Sequence, residues 1–464
     1  MATRPTMFRV VSFGCKVNQA EGRALAARLR ELGLEEAGAE ADPSTASGQR
    51  LVIINTCTVT AEAARQGRQC ARRAVRDGAE TIVTGCAAHP AARDEALRNI
   101  DGLHLVEADK DRLIETLSRD GESGMLARER AGQAPRLTTT VRRDDGLAAG
   151  LAPRAAQARL TRDLAPSTAR SRAMLKVQDG CPEACAYCIV PLVRPAVRST
   201  PAEKAVRQLA ALVAEGYREV VICGIHLGLY GADLAPRTGL VDLLERMLTV
   251  PGLGRLRLSS IAPLEVSERL LALAQSEPER LCPHFHVSLQ SGDDGVLSRM
   301  GRPYTTGEFL DVVRRIREAL PMPAVTTDVL VGFPGETDEA FAGTLRLCRQ
   351  TGFSRIHAFP FSPRPGTRAA AMPGHVPRET IRARRRAVSA LGAALAGAYR
   401  ESLVGRTARV VLETLHPDGS ADGLSQRYVR VHVRGPLPAG AARREILPVR
   451  LLRTAGDHLE AEAT

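Results

Sequence analysis

Three cysteines stand close together in Cys181-Pro182-Glu183-Ala184-Cys185-Ala186-Tyr187-Cys188, a Cys-x3-Cys-x2-Cys run. Thiolates at this spacing can hold three irons of a [4Fe–4S] cluster and leave the fourth open for a small molecule. Structural zinc normally closes with four protein ligands, and no fourth Cys or His lies close in sequence, which speaks against zinc. The other cysteines are Cys15, Cys57, Cys70, Cys86, Cys223, Cys282 and Cys348. Met1–Arg9 lacks the apolar stretch of a secretory signal. A disulfide framework is therefore not expected, and clustered thiols point to metal or redox chemistry. Scattered thiols are more often small buried hydrophobes.

Three of the scattered cysteines share a pattern. Cys15 follows the strand-like run Phe8–Phe13, Cys57 follows Leu51–Asn55 and Cys86 follows Thr81–Thr84, each run being succeeded by helical periodicity. Alternating strand and helix predicts an open parallel sheet with helices on its faces. Loops at the carboxyl ends of such strands gather at one edge, so Cys15, Cys57 and Cys86 can converge there despite 41 and 28 intervening residues. The alternative is that they are incidental buried thiols. Cys70 falls within a helical stretch and reads as structural.

The Cys-x3-Cys-x2-Cys loop follows the first strand of a second alternating region. Expected strands are Met174–Gln178, Glu219–Gly224, Leu256–Ile261, His284–Leu289, Ala324–Val331 and Ser354–Phe359, with helices between them. Six such units predict a (β/α) barrel or part-barrel whose chemistry lies at the strands' carboxyl ends. A long helix is expected over Pro377–Leu403. Beyond it, Ala408–Leu412, Tyr428–Val433 and Ile446–Leu452 suggest a small antiparallel β-barrel of a kind that often contacts RNA. Residues 119–172, rich in Ala, Arg, Gly and Pro, read as a linker.

Composition narrows the class. The 464 residues carry a formal charge of +12, only 3% aromatic residues and no Trp. A basic chain suggests a polyanion partner, whereas the scarcity of aromatics argues against a base-stacking platform. The bland explanation is an Arg-rich genome, since Lys occurs only at positions 16, 110, 176 and 204. No apolar run approaches the ~20 residues of a membrane span.

The loop Cys181–Cys188 in a βα barrel resembles radical S-adenosylmethionine enzymes. With Cys15, Cys57 and Cys86 the resemblance narrows to methylthiotransferases, over nearly the whole chain apart from the linker. Gly14-Cys15-Lys16-Val17-Asn18-Gln19-Ala20-Glu21 and Asn55-Thr56-Cys57-Thr58-Val59-Thr60 resemble the branch acting on N(6)-threonylcarbamoyladenosine in tRNA. So do Ser288–Gly292, Asp328–Thr337 and Phe361–Thr367. The isopentenyladenosine and ribosomal-protein branches are the alternatives, and a non-catalytic RNA-binding iron–sulfur sensor is a third. Departures are Pro195 and Ala196 in an Arg-rich segment, Ala262 in place of Glu, and Asp293 in place of Cys.

The resemblance implies an α/β chain of four parts. Residues 1–118 would hold an auxiliary [4Fe–4S] cluster on Cys15, Cys57 and Cys86, and 119–172 would be linker. Residues 173–401 would form the radical core, its cluster on the catalytic Cys181, Cys185 and Cys188. Residues 402–464 would form a TRAM barrel. It further implies S-adenosylmethionine near Gly224, Ser260, Ser288, Gln290, Asp328 and Gly332. A structural hydrogen-bonding role is the alternative for Ser260, Ser288, Gln290 and Asp328, and a plain turn for Gly332–Gly335. Expected partners are the tRNA, an electron donor such as flavodoxin or ferredoxin, and a sulfur donor. The protein is expected to be a cytoplasmic monomer with no membrane association. Cys223 reads as a buried strand residue and Arg382–Arg386 as a solvated helix face. Two of four lysines, Lys16 and Lys176, lie beside cluster cysteines, which suggests that a compact ammonium tunes a cluster or touches substrate.

Overall fold

The computed structural model describes residues 7–37, 50–92, 94–106, 113 and 170–464. The expected linker lies outside the described residues except for Arg170, Ser171 and Arg172. The described residues divide into two compact units: those of Met1–Gly14 and Glu21–Ala169 form one, and Cys15–Ala20 with Arg170–Thr464 form the other.

In the first unit, β1 (Met7–Ser12), β2 (Glu35–Glu36), β3 (Arg50–Thr56), β4 (Glu80–Gly85) and β5 (Leu103–Leu105) make one parallel sheet in the order β2-β1-β3-β4-β5. Its strands are apolar on both faces because both are covered. Phe8, Leu51, Ile53 and Ile82 pack against Leu25, Ala26 and Leu29. Val11, Ile54 and Val83 pack with Ala63 and Ala71 of the helix Ala61–Arg76, which Thr60 caps by accepting the Ala63 N–H. The strand order reverses between β1 and β3, where parallel sheets open a crevice at their carboxyl ends. After β4, the expected helix is only a 3-10 turn at Pro90–Ala92 and one turn at Glu95–Arg98. Pro90 lacks the N–H that a helix running on from Cys86 would need.

The second unit contains an open wall of parallel strands. β6 (Arg172–Lys176), β9 (Glu219–Cys223) and β10 (Arg255–Leu258) form one sheet; β11 (Ser260–Ile261), β12 (His284–Val287), β13 (Ala324–Val331) and β14 (Arg355–Pro360) form the next. A break at Ser259 separates β10 from β11, and the parallel bridge Leu256–Leu281 carries the wall across it. Six strand positions in chain order, each parallel to the next, make the partial (β/α)6 barrel. A two-stranded antiparallel ribbon, β7 (Gln178–Asp179) with β8 (Arg198–Ser199), flanks the cysteine loop. The helix Arg378–Ser402 lies against β14, Gly392 allowing close approach to Ile356.

β15 (Thr407–Leu415), β16 (Ala421–Ser425), β17 (Arg430–Val433), β18 (Ile446–Ala455) and β19 (His458–Ala463) close a five-stranded barrel in the order β15-β16-β17-β19-β18. All its pairs are antiparallel except β17 with β19. The barrel is fastened to the parallel wall by buried charge. Glu219 accepts from Arg255 Nε at 2.6 Å and from Arg257 Nε at 2.7 Å, all three side chains being fully buried. The remaining guanidinium N–H groups donate to the carbonyls of Arg409, Leu424, Ser425 and Gln426 in the small barrel. Burial would raise the Glu219 carboxyl, but Arg255, Arg257 and Arg172 hold it down at about 2. Both guanidiniums pair with the one carboxylate and each of their nitrogens has an acceptor, which makes burial of such a group tolerable.

Candidate active site

The cysteine loop starts from a strained backbone. Gly180 has φ +76°, and a Cβ there would meet the Ala196 carbonyl oxygen at 1.8 Å, so only glycine fits. Gln178 Nε2 donates to the carbonyls of Asp179 and Gly180 at 2.8 and 2.7 Å. Asp179 accepts the Gly180 N–H, two bonds of 2.8 Å from Arg194 Nη1, and one of 3.1 Å from Lys176 Nζ. Burial alone would raise this carboxyl; Arg194 and Lys176 hold it at about 2. The Cys181 N–H donates to the Arg194 carbonyl, and the Cys188 N–H to the Cys185 carbonyl. Ala186 is fixed through its N–H to Met300 and its carbonyl to Ala369.

The three thiols are neighbours: Cys181 raises Cys185, and Cys185 and Cys181 both raise Cys188. Burial pushes Cys188 up to about 12 and raises Cys185, although Arg302 Nη1 donates to the Cys185 sulfur at 3.0 Å. Arg302 lies over the Tyr304 ring, and the Tyr304 hydroxyl donates to the carbonyls of Ser288 and Leu289. Cys181 Sγ lies 3.4 Å from His226 Nδ1, whose Nε2 meets the Glu265 carboxylate. A histidine remote in sequence thus comes close in space. Even so, the ligand atoms grouped with it are only Cys181 and Glu183, not a closed Cys3His set. Three soft donors on one short loop, with a cationic guanidinium at one sulfur, suit an iron–sulfur cluster with one open iron.

The residues expected at S-adenosylmethionine fall in three groups. Gly224 follows β9, and a Cβ on it would meet Gln178 Oε1 at 2.8 Å. Ser260 is exposed at the start of β11. Ser288 and Gln290 lie just past β12; Gln290 has φ +69° and its N–H donates to the Asp328 carbonyl. All four sit on the carboxyl-terminal side of the wall. Asp328 lies within β13, not at its end, paired at 3.2 Å with His286 Nε2. β13 continues three residues past it because Val329, Leu330 and Val331 pair with β14. Gly332 ends β13 at φ +80°. Its N–H is taken by Glu336, and a Cβ would meet Ile381 at 2.4 Å, so helix packing alone requires glycine here.

Cys57 and Cys86 lie just beyond β3 and β4 in the first unit, and Cys15, which begins the short segment grouped with the second unit, follows β1 after two intervening residues. A Cβ on Gly14 would meet Cys57 Sγ at 2.6 Å, and the Cys86 N–H donates to the Thr56 carbonyl. The strand ends carrying these loops are adjacent, at the crevice where the order reverses. Cys70 is in the helix Ala61–Arg76, its thiol pushed up to about 11 by burial. Cys223 is fully buried in β9.

Sequence reasoning missed His226, Glu265 and Arg302. Only Glu265 left a trace, three residues after the departure at Ala262. Its carboxylate accepts the Ala262 N–H at 3.1 Å. The departure at Asp293 has a local cause, since its side chain caps the helix Asp294–Met300. Arg384 corrects the reading of Arg382–Arg386 as a solvated face: it is buried and pairs with Glu336 and Asp338 at 2.7 Å. No helix among the described residues is long and apolar enough to cross a membrane.

Two family models match, the Radical SAM superfamily over residues 175–348 and Uncharacterized protein family UPF0004 over residues 7–106. The threonylcarbamoyladenosine tRNA methylthiotransferase MtaB of Chlamydia pneumoniae is 34% identical, covering 98% of this chain and 97% of that protein. The tRNA-2-methylthio-N(6)-dimethylallyladenosine synthase of Pelotomaculum thermopropionicum is 31% identical over 89% and 88%. Among solved structures, the radical S-adenosylmethionine methyltransferase TsrM of Kitasatospora setae superposes with a TM-score of 0.52 at 16% identity, covering 79% of this chain and 74% of that one, a likeness of fold. Enzymes of the radical superfamily use a [4Fe–4S] cluster with S-adenosylmethionine. With its three-thiol loop on a partial barrel and full-length relatives of this kind, the chain belongs to the radical S-adenosylmethionine methylthiotransferase family.

Proposed function

We propose that this protein places a methylthio group on carbon 2 of the adenine of N(6)-threonylcarbamoyladenosine in tRNA. The observation that carries the branch is identity of 34% along essentially the whole chain with an enzyme named for that nucleoside. The motifs Gly14–Glu21 and Asn55–Thr60 agree with it.

Cys181, Cys185 and Cys188 would hold the radical cluster, and Cys15, Cys57 and Cys86 a second one. When bound, the reduced cluster and S-adenosylmethionine supply radical chemistry able to break an unactivated C–H bond, which acid–base groups cannot do. The chain's residues do the positioning. Asp179, Arg194 and Lys176 set the backbone of the loop, and Arg302 holds a cationic donor at the Cys185 sulfur. Hydrogen bonds to cluster sulfurs and local charge set reduction potential. Gly224, Ser260, Ser288 and Gln290 present backbone and small polar groups at the carboxyl edge, where S-adenosylmethionine would lie. Asp328, paired with His286, would approach it from within β13. The residues 1–118, 173–401 and 402–464 then act as cluster carrier, radical core and RNA-binding barrel. The tRNA, a flavodoxin- or ferredoxin-type electron donor and a sulfur donor are the partners of a cytoplasmic monomer.

The test is mass spectrometry of tRNA nucleosides from a deletion strain. Loss of the methylthio form of threonylcarbamoyladenosine is expected. Loss of only the isopentenyl derivative moves the assignment to the sister branch, which the 31% relative represents. Failure of the reduced protein to cleave S-adenosylmethionine overturns the enzymatic reading altogether.

A further inference from the structure

The C-terminal barrel carries a second group of ligand atoms that neither proposed cluster uses. Asp422 on β16 stands directly opposite His432 on β17. His416 follows β15 at the turn leading to β16, its N–H bonded to the Ser420 carbonyl. Their neighbours Ala421, Val431 and Val433 are buried, so alternation turns Asp422 and His432 outward. His416 Nε2 meets Asp422 Oδ2 at 3.1 Å and His432 Nδ1 meets Oδ1 at 2.9 Å. One donor atom from each residue lies within 4.8 Å of the other two. The imidazole centroids are 6.1 Å apart, and His458 on β19 stands edge-on to His432 at 6.3 Å.

We propose that His416, Asp422 and His432 form a binding site for a divalent transition-metal ion of the zinc type. Imidazole nitrogen and carboxylate oxygen are the donors that zinc takes at ~2.0–2.2 Å, which puts tetrahedral donors about 3.4 Å apart. The two imidazole-to-carboxylate spacings, 3.1 and 2.9 Å, are close to that value, and the donor atoms all lie within 4.8 Å of one another. Two imidazoles, one from the turn after β15 and one from β17, converge on one half-exposed carboxylate that water would satisfy without them. The positions are set by barrel register and by a turn that Asp418 fixes through the Ser420 N–H and hydroxyl, so the donors come already arranged. Three protein donors leave at least one coordination position for water or a phosphate oxygen.

The test compares full-length parent protein with Asp422→Asn and His416→Gln, titrated anaerobically with zinc chloride against a competing chelator. Bound metal is counted by mass spectrometry. Zinc taken by the cysteines is common to all three proteins and cancels. The parent is expected to retain one equivalent more than Asp422→Asn, and His416→Gln to bind that equivalent ~10-fold or more weakly. Zinc should also raise the unfolding temperature of the parent above that of the variants. Equal zinc binding in parent and variants overturns the site. Should Asp422→Asn lose the barrel's circular dichroism, His416→Gln decides, because residue 416 lies outside the strands.

Discussion

The two cysteine constellations solve the same problem in opposite ways. Cys181, Cys185 and Cys188 share one loop whose shape comes from its own hydrogen bonds and from Asp179, Arg194 and Lys176 immediately around it. Cys15, Cys57 and Cys86 share nothing local. They depend on a five-stranded sheet to bring three strand ends side by side. A compact site is specified by spacing and protected by local geometry. A dispersed site is specified by topology and is as robust as the sheet that carries it.

The largest effect should come from the cysteines themselves. Cys185→Ala is expected to lower iron from about eight to about four per chain and abolish S-adenosylmethionine cleavage. Cys57→Ala should remove a similar amount of iron yet leave cleavage intact while ending methylthio transfer. Equal loss of cleavage in both would break the distinction. Glu219→Gln provides the contrast of a lesion in neither constellation. Leaving Arg255 and Arg257 without their carboxylate should cost about 3–5 kcal/mol in urea unfolding, without selective iron loss. Because the folded-state pKa of Glu219 is depressed to about 2, its stabilisation is present above the ordinary value of 4.5 and is lost as pH falls from there toward 2. The variant should lack that acid-labile component. Smaller effects belong to the glycines beside each site. Gly180→Ala must displace the Ala196 carbonyl, and Gly85→Ala the Thr56 carbonyl at 2.4 Å. Each strained residue should cost of order 1–3 kcal/mol and loosen only the cluster proposed beside it, read by spectra of the two proposed clusters. The smallest is Lys176→Arg. Arginine can keep the Asp179 pair, so unchanged activity and cluster spectra would assign Lys176 to loop support, while a shifted spectrum would bring it into the site.

What could be read from sequence follows the same division. The Cys181–Cys188 loop is legible because its ligands are near neighbours. The strand ends at Cys15, Cys57 and Cys86 are legible because apolar runs such as Leu51–Ile54 mark buried parallel strands. His226 and Glu265 were not, since their approach to Cys181 arises from two other strand ends, a relation no local spacing records. The bounds of β13 were legible as Ala324–Val331, but the pairing of Asp328 with His286 joins two strands and leaves no local mark. Arg384 was read as solvated because its partners, Glu336 and Asp338, lie 48 and 46 positions away. Two strands of the small barrel were missed as well. Ala421–Ser425 and His458–Ala463 carry small and polar residues, and only closure of the barrel gives them a buried face.

The buried fastening of Glu219, Arg255 and Arg257 to the carbonyls of the small barrel has a consequence for reach. A domain on a flexible tether samples many separations from its neighbour. This one is clamped, so the span between barrel and parallel wall is a fixed gauge, as between the jaws of a caliper. The clamp is sheltered from counterions, whereas contacts to a phosphate backbone weaken steeply with salt. Added salt would weaken the proposed phosphate contacts to tRNA while leaving that spacing unchanged.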